Sequence, residues 1–256
     1  MVFLYRGVYT AAMGMLADLT KIDTLSNNLA NVETNGYKSD SPAFRTYLER
    51  EIYRIKPEPE NRRVEVAKIG NVEQAIIVDE VRTLFTQGNI EQTNVQTHLA
   101  ISGDGFFAVQ KDGRTFYTRN GEFVVDNERR LVNTQGYYLL DSNGQIIRFP
   151  ENGSIDEKGN VRDVNGNLVA TIPIYSLQNP EKVGETLFTG QPQVIDMNAP
   201  NDIRILQGFV EKSNVNAVRE MVRMIEAHRH YDATSKAIAV HDELLNKLIN
   251  NVGALR

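Results

Sequence analysis

The sequence predicts an α+β protein in which a central all-β region of short strands is flanked by a long helix at each end. Three observations indicate this: a heptad pattern near the start, a second helical pattern toward the end, and turn signals that recur between them. From them we expect four regions. These are an N-terminal helix over 1–38, an extended or loop connector over 39–65, a β-rich domain over 66–205 and a C-terminal helix over 206–256.

Two rows of apolar residues at a spacing of seven predict the N-terminal helix, and only Asp18 interrupts them. Gly36 follows, where a glycine in the left-handed conformation can end a helix. Long helices with a narrow apolar stripe need partner helices and do not form a pocket, which favours assembly over catalysis. The rows consist of Val8, Met15, Ile22 and Leu29, and of Leu4, Ala11, Leu25 and Val32.

The middle of the chain changes to the pattern of a β protein. The stretch 56–61 is polar and interrupted by prolines, which predicts an exposed loop. Beyond residue 66, short apolar runs alternate with turn dipeptides such as Asp112-Gly113, Asn143-Gly144 and Asn165-Gly166. Asparagine and glycine both tolerate positive φ, so these pairs favour tight hairpins. We therefore expect a sandwich or a partly closed barrel.

The C-terminal helix is predicted from a second set of apolar residues, with Ser213 or Asn214 as its N-cap. Because one long helix with an apolar stripe is predicted at each end of the chain, we expect the two helices to pair with each other or with other subunits. The apolar set consists of Val218, Met221, Val222, Ile225, Ile238, Leu245, Leu248, Ile249 and Val252.

Composition excludes several classes of function. The net charge is −5 and the isoelectric point about 5.5, so the basic surface typical of nucleic-acid binding is missing. No apolar run approaches the roughly 18–20 residues that span a bilayer, so we expect no membrane insertion. The first 19 residues lack the pattern of a signal peptide. Because there is no cysteine, disulfides and thiolate chemistry are excluded.

No motif predicts an enzyme, a cofactor or a metal site. The segment 103–108 matches a dinucleotide fingerprint, but the residues after it indicate a strand where that fingerprint needs a helix. Three loops that begin at Asp141, Asp156 and Asp163 are reminiscent of calcium loops, yet they lack the spacing of an EF-hand and fit hairpin turns better. His228 and His230 are two residues apart on a helix and point in different directions.

An asparagine-rich segment, 26–36, is the unusual polar feature, because asparagine is a poor helix former. One interpretation is a frayed helix end with a cap. The other is a row of amides, including Asn27, Asn28 and Asn31, that hydrogen-bond across a helix interface and fix its register.

Five ordered segments resemble the bacterial flagellar axial proteins of the rod and hook group. They read SNNLANVETNGYK at 26–38, FTQGNIEQT at 85–93, LAISGDGFF at 99–107, YTRNGEF at 117–123, and EKSNVN with the following helix at 211–231. The short β region resembles a rod protein more than a hook protein, and the segment 51–69 favours the proximal-rod member over the distal one.

The resemblance implies a structural subunit of the basal-body rod, in which the terminal helices pair and pack with other subunits and the β domain forms the outer layer. Expected partners are copies of the chain, other rod and hook axial proteins, and the flagellar export apparatus, with a periplasmic location reached without a cleaved signal peptide. The alternative is a β-rich ligand-binding module with a helical stalk for oligomerisation. The expected assembly interface consists of Val8, Met15, Ile22, Leu25, Asn27, Asn28, Leu29, Asn31, Val32, Val218, Met221, Val222, Ile225, Ile238, Leu245 and Ile249.

Overall fold

The structure is a computed structural model that describes residues 2–46, 49–57, 64–73, 76–197 and 202–253. It confirms the α+β class, with a long helix at each end and short strands between them. The chain divides into two compact units. Unit 1 comprises Met1–Asn27, Asp40–Arg82 and Val218–Arg256, and unit 2 comprises Asn28–Ser39 and Thr83–Ala217.

Two helices pair in unit 1: α1 (Val2–Ala30) and α2 (Ala217–Gly253). Ile22 and Leu25 of α1 are buried with Ala227 of α2. Further along, a Cβ atom added at Gly7 would lie 3.6 Å from Nε2 of His241. As the residue number rises on α1 it falls on α2, so the helices are antiparallel, and paired positions have numbers that sum to about 248.

Unit 1 also contains four strands, and the first two lie where a connector was expected. Strand β1 (Asp40–Thr46) pairs with β4 (Ile76–Thr83), and β2 (Glu49–Pro57) pairs antiparallel with β3 (Val64–Glu73). The expected connector 39–65 is therefore largely strand. Its β-branched residues recur within polar sequence, which permits a two-stranded ribbon although the prolines suggested a loop. Most of the predicted loop, from residue 58 onward, lies outside the described residues.

A closed ring of four strands forms the centre of unit 2. Strand β7 (Phe106–Lys111) pairs with β8 (Arg114–Thr118), β8 pairs with β16 (Leu187–Val194), β16 pairs with β15 (Ile174–Lys182), and β15 returns to β7. The sheet continues from β7 through three further strands. This arrangement agrees with the barrel alternative. The three strands are β11 (Tyr138–Leu139), β10 (Leu131–Asn133) and β9 (Phe123–Val125).

Three smaller sheets complete unit 2, and each described strand pair in them is antiparallel. The strands are β12 (Ser154–Ile155), β13 (Asn160–Arg162) and β14 (Leu168–Thr171); β6 (Leu99–Ser102) with β17 (Arg204–Gln207); and β5 (Ile90–Gln92) with β18 (Phe209–Glu211).

The core of unit 2 contains a large apolar cluster, which includes Leu99, Phe107 and Leu131, and a smaller aromatic one. In the smaller cluster Phe106 and Phe188 pack with ring centroids 5.4 Å apart. Large aromatic side chains bury much apolar area, so both clusters stabilise the unit.

The predicted turns are confirmed where the structure describes them. Asp112 and Gly113 both have positive φ, 51° and 75°, and connect β7 to β8. Gly103 and Gly105, in the dinucleotide-like segment, form a turn that leads into strand β7, so that the segment has no helix N-terminus at which a pyrophosphate could bind.

The loops that resembled calcium sites share one backbone arrangement. In each of them one carboxylate oxygen accepts hydrogen bonds from the backbone N–H groups two and four residues later, at 2.7–3.0 Å. The carboxylates of Asp141, Asp156 and Asp163 therefore hold their own turns closed. Asn133 makes the same two bonds with its amide oxygen. We call these the Asx loops.

The C-terminal region differs from the prediction at its start. The expected helix 206–256 begins only at Ala217, because residues up to Glu211 belong to β17 and β18. Neither expected cap lies next to that start. The Asn214 amide instead accepts a hydrogen bond from the Ser39 backbone at 2.8 Å and donates to the carbonyl of Leu84 at 2.8 Å.

Candidate assembly surface and buried junction

A buried carboxylate joins segments of unit 2 that lie far apart in the sequence. Glu211 is only 1% exposed. Its Oε1 accepts from Nζ of Lys38 at 2.6 Å and from the backbone of Gly88 at 2.9 Å, and its Oε2 accepts from Nε of Arg119 at 2.9 Å. Its backbone carbonyl accepts from the amide of Gly36 at 2.7 Å. We call Lys38, Arg119 and Glu211 the buried junction.

The two cations of the junction are also bonded to carbonyl groups. Arg119 donates to the carbonyls of Gly105 at 2.6 Å and Gly103 at 2.8 Å, and Lys38 donates to that of Thr86 at 2.8 Å. Burial lowers the pKa of Lys38 below its ordinary value, although the charge of Glu211 opposes this. Ion pairs removed from water are stable only when their remaining hydrogen-bonding groups are satisfied, as these are.

Glycine is required where backbone segments approach each other at the junction. A Cβ atom at Gly36, whose φ is 72°, would overlap the backbone of Asn120. A Cβ atom at Gly121 would overlap the carbonyl of Leu99. Gly36 was expected to end α1, but α1 ends at Ala30. Its positive φ instead brings the chain against Asn120.

The asparagine-rich segment is held by hydrogen bonds within unit 2. The Asn28 side chain is buried and accepts from the hydroxyl of Tyr37 at 3.1 Å, while Asn31 accepts from Thr34 at 3.0 Å. Lys182 lies 4.0 Å above the ring of Tyr37. Asn28 and Asn31 therefore make hydrogen bonds within the chain, whereas they were expected to contact another helix or subunit. The place of these two amides in an assembly interface stays a prediction.

The junction was not predicted, although each of its charges lies in a segment quoted for the family resemblance. The feature of the sequence that could have indicated the junction is the position of its charged residues. Lys38, Arg119 and Glu211 are charged residues that each lie within three positions of a glycine (Gly36, Gly121 and Gly208), where backbone segments can approach each other closely.

The predicted assembly residues of the helices fall into groups of different exposure. Ile22 and Leu25 are buried against α2, and Asn27 is exposed. The side chain of Ile249 lies outside the described residues. Six residues are half-buried: Val8, Met15, Leu29, Val32, Ile238 and Leu245. Four of the predicted residues of α2 are exposed, at 44% to 68%: Val218, Met221, Val222 and Ile225. Val240 and Leu244 of α2, which were not among the predicted residues, are exposed as well.

Helix α2 has two apolar faces. Between 218 and 247, eight positions are not exposed, and their numbers advance by alternating steps of four and three, as in the seam of a coiled coil. The four exposed residues from 218 to 225 lie off this seam. We call the eight positions the α2 seam and the four exposed residues the α2 stripe. The seam consists of Glu220, Met224, Ala227, Tyr231, Thr234, Ile238, His241 and Leu245.

Helix α1 also exposes apolar residues that lie outside the two predicted heptad rows. Tyr9, Leu16 and Leu19 are 42% to 58% exposed and lie on one face of the helix, at spacings of seven and three. We call them the α1 stripe. Heptad rows were assigned from apolar spacing alone, and this pattern could not separate the face that pairs within the chain from the face left open.

Asp18, which interrupts the heptad, has a partner on α2. Its Oδ2 lies 2.6 Å from Nδ1 of His230. The sum of their numbers is 248, the same as for the other paired positions, so the polar pair agrees with the antiparallel register. His230 lies beside the seam residue Tyr231, and a specific polar contact is a common way to fix the register of paired helices.

A cavity of about 370 Å³ in unit 2 bears on the binding-module alternative. Phe85, Phe106 and Leu177 contribute its apolar walls, and Lys38 and Arg119 also line it. Both cations are already paired with Glu211, so they provide no unpaired charge for a ligand. In the part of the chain that the structure describes, no group of three metal-ligating side chains occurs, and no helix is long and apolar enough to cross a membrane.

Three family models match the chain, and together they cover most of it. They are "Flagella basal body rod protein" at residues 8–38, "Flagellar hook protein FlgE/F/G D1 domain" at 100–184 and "Flagellar basal body rod FlgEFG protein C-terminal" at 206–251. The flagellar basal-body rod protein FlgG of Borreliella burgdorferi is 35% identical over 96% of this chain and 98% of its own length. The chain belongs to the flagellar basal-body rod protein family.

Other relatives have the same name and similar coverage. FlgG of Buchnera aphidicola subsp. Acyrthosiphon pisum is 31% identical over 94% of this chain and 97% of its own, and FlgG of Bacillus subtilis is 28% identical over 96% and 98%. The chain is thus a structural rod subunit of the flagellar basal body. Each of the three matched regions contributes one ion of the buried junction.

Proposed function

We propose that this rod subunit polymerises through its terminal helices into the axial shaft of the basal body, with copies of itself and other rod and hook axial proteins as neighbours. The α2 stripe is the observation that carries the proposal. Its four side chains stand at positions i, i+3, i+4 and i+7, the spacing with which one face of a helix anchors in an apolar groove.

The size of the α2 stripe supports an intermolecular contact. The four residues are already about half covered, so completing their burial contributes on the order of 3–6 kcal/mol per copy before any cost of ordering. Such a contact is weak for one pair of molecules, but it is repeated along a polymer. The α2 seam pairs α1 with α2 inside each copy and leaves the stripes for neighbours.

The proposal also includes the location of the subunit and the route by which it is exported. In line with the family, we place the subunit in the periplasmic part of the basal body, where it arrives through the flagellar export apparatus without a cleaved signal peptide. The proximal position within the rod that was favoured from residues 51–69 stays a prediction.

The double variant Val222→Asp/Ile225→Asp tests the function. Because both side chains are exposed, the variant keeps its fold, whereas the charges oppose burial between subunits. We expect normal circular dichroism of the purified protein, loss of swimming in cells that carry only the variant, and loss of this subunit from isolated basal bodies.

The matched control is Val169→Asp, which places the same charge on an exposed residue of β14 in unit 2. Cells with the control should swim. Rods of normal composition in the stripe variant would show that α2 does not form the contact between subunits.

A further inference from the structure

The α1 stripe and the α2 stripe lie at different positions along the common axis of the helix pair. Paired positions on α1 and α2 sum to about 248, so the centre of the α1 stripe, near residue 15, lies level with about residue 233 of α2. The α2 stripe is centred near residue 222. At 1.5 Å per residue the stripes are separated by roughly 16 Å along the helix axis.

We propose that the α2 stripe of one copy packs on the α1 stripe of a second copy that points in the same direction and is displaced by about 16 Å along the axis. This pairing rests on the proposed function, because it gives the rod its repeated contact. The two stripes are different surfaces, so the contact is heterologous and leaves one stripe free at each end of the pair. Further copies then add without closure.

Side chains that meet in this arrangement are complementary. With α2 of one copy antiparallel to α1 of the next, Val218 faces Leu19 and Val222 faces Leu16. Arg229, which is exposed on the same face of α2, then faces Tyr9. The pair numbers sum to 237 or 238 in all three cases, so one register satisfies two apolar contacts and one contact of a guanidinium with an aromatic ring.

A closed dimer is the competing arrangement. If the second copy is reversed by a two-fold axis, α2 of one copy runs parallel to α1 of the other, and Leu19 faces Ile225 instead of Val218. That arrangement uses all four stripes of two copies and stops growth. Positions 218 and 225 are about 10 Å apart along α2, so the two arrangements can be told apart by cross-linking.

The absence of cysteine makes the experiment specific. Full-length Leu19→Cys is mixed with Val218→Cys, with Ile225→Cys, or with the control Ser235→Cys, which is exposed on α2 outside the stripe. Each mixture is concentrated and oxidised, and the disulfide-linked heterodimer is quantified on a gel. Since a disulfide needs Cα atoms within about 7 Å, we expect at least about fivefold more heterodimer from 19 with 218 than from the other two mixtures.

Other outcomes overturn the pairing. More heterodimer from 19 with 225 would show the two-fold dimer, and equal amounts in all three mixtures would show that the stripes do not meet. The failure of the proposed function is distinguishable from both. It is seen as normal rods in the Val222→Asp/Ile225→Asp variant, whereas rods lost in that variant together with a different cross-link pattern would leave the function intact and refute only this register.

Discussion

Glu211 shows what a single residue contributes to this fold. Its carboxylate binds one residue that precedes it by 173 positions and another that precedes it by 92. Sequence patterns predict helices and turns from neighbouring residues, but they do not predict a contact between residues so far apart in the chain. The segment around Glu211 was predicted to be helix, whereas the backbone there is strand and its side chain is buried.

Replacing Glu211 by glutamine should destabilise unit 2 strongly. The substitution keeps the shape of the side chain but leaves Lys38 and Arg119 buried without a counter-charge. Loss of one partner of a buried ion pair costs about 3–5 kcal/mol. We expect the urea midpoint of the tyrosine fluorescence transition to fall accordingly.

A matched control is Glu157→Gln, since Glu157 pairs with Arg204 while both side chains are well exposed. Exposed pairs contribute about 0–1 kcal/mol, so this variant should unfold close to the unmodified protein. If the Glu211 variant unfolded at the same urea concentration as the control, the junction would have no role in stability.

At the scale of elements, the sequence predicted the helices and turns better than their partners. The apolar repeat predicts α1 and α2 because a helix repeats every 3.6 residues. It could not show that α2 has two apolar faces, because Met224 in the seam and Met221 in the stripe have the same chemistry and differ only in position. The turns were predictable because Asn-Gly and Asp-Gly pairs determine local backbone conformation without distant contacts.

The Asx loops predict how stability depends on pH. The side-chain amide and backbone N–H of Asn167 lower the pKa of Asp163 below its ordinary value of 3.8. Although burial alone would raise the pKa of Asp156, hydrogen bonds from Asn160 and the backbone of Lys158 lower it below the same value. A carboxylate with a lowered pKa stabilises the fold above its ordinary pKa, and this contribution is lost as the pH falls through the folded pKa.

Substituting both carboxylates with Asp156→Asn/Asp163→Asn should therefore flatten the acid side of the stability profile. Asn133 shows that an amide oxygen can hold an Asx loop. We expect the fall in urea midpoint between neutral pH and about pH 3 to be smaller in the variant than in the unmodified protein. Asp112→Asn, in the two-residue turn between β7 and β8, serves as the control and should leave the slope unchanged. An unchanged slope in the double variant would contradict the role of the two carboxylates.

At the scale of the whole molecule, the division of the chain does not follow the sequence order that was expected. Four regions in succession were predicted, but each unit is assembled from segments that are separated in the chain. The β structure begins at Asp40 and ends at Glu211, beyond both predicted limits of 66 and 205. Local composition indicates where strands occur. It does not indicate which of them share a core, since this depends on pairings such as that of β18 with β5.

The two units should differ in stability because their apolar cores differ in size. Among the described residues, Ile22, Leu25 and Ala227 form the buried apolar cluster of the helix pair, while unit 2 contains two larger clusters with several aromatic rings. Helix pairs with so little buried area are marginal, because ordering each residue costs about 1–2 kcal/mol.

We therefore expect unfolding in two steps as urea is raised. The helical signal in far-UV circular dichroism should fall first, while the near-UV signal of the tyrosines and phenylalanines of unit 2 persists to higher urea. Addition of Glu211→Gln should move only the second step, since the junction belongs to unit 2. A single coincident transition for both signals would mean that the units unfold as one. The helix pair would then already be stabilised before assembly, and neighbours in the rod would not be needed to order it.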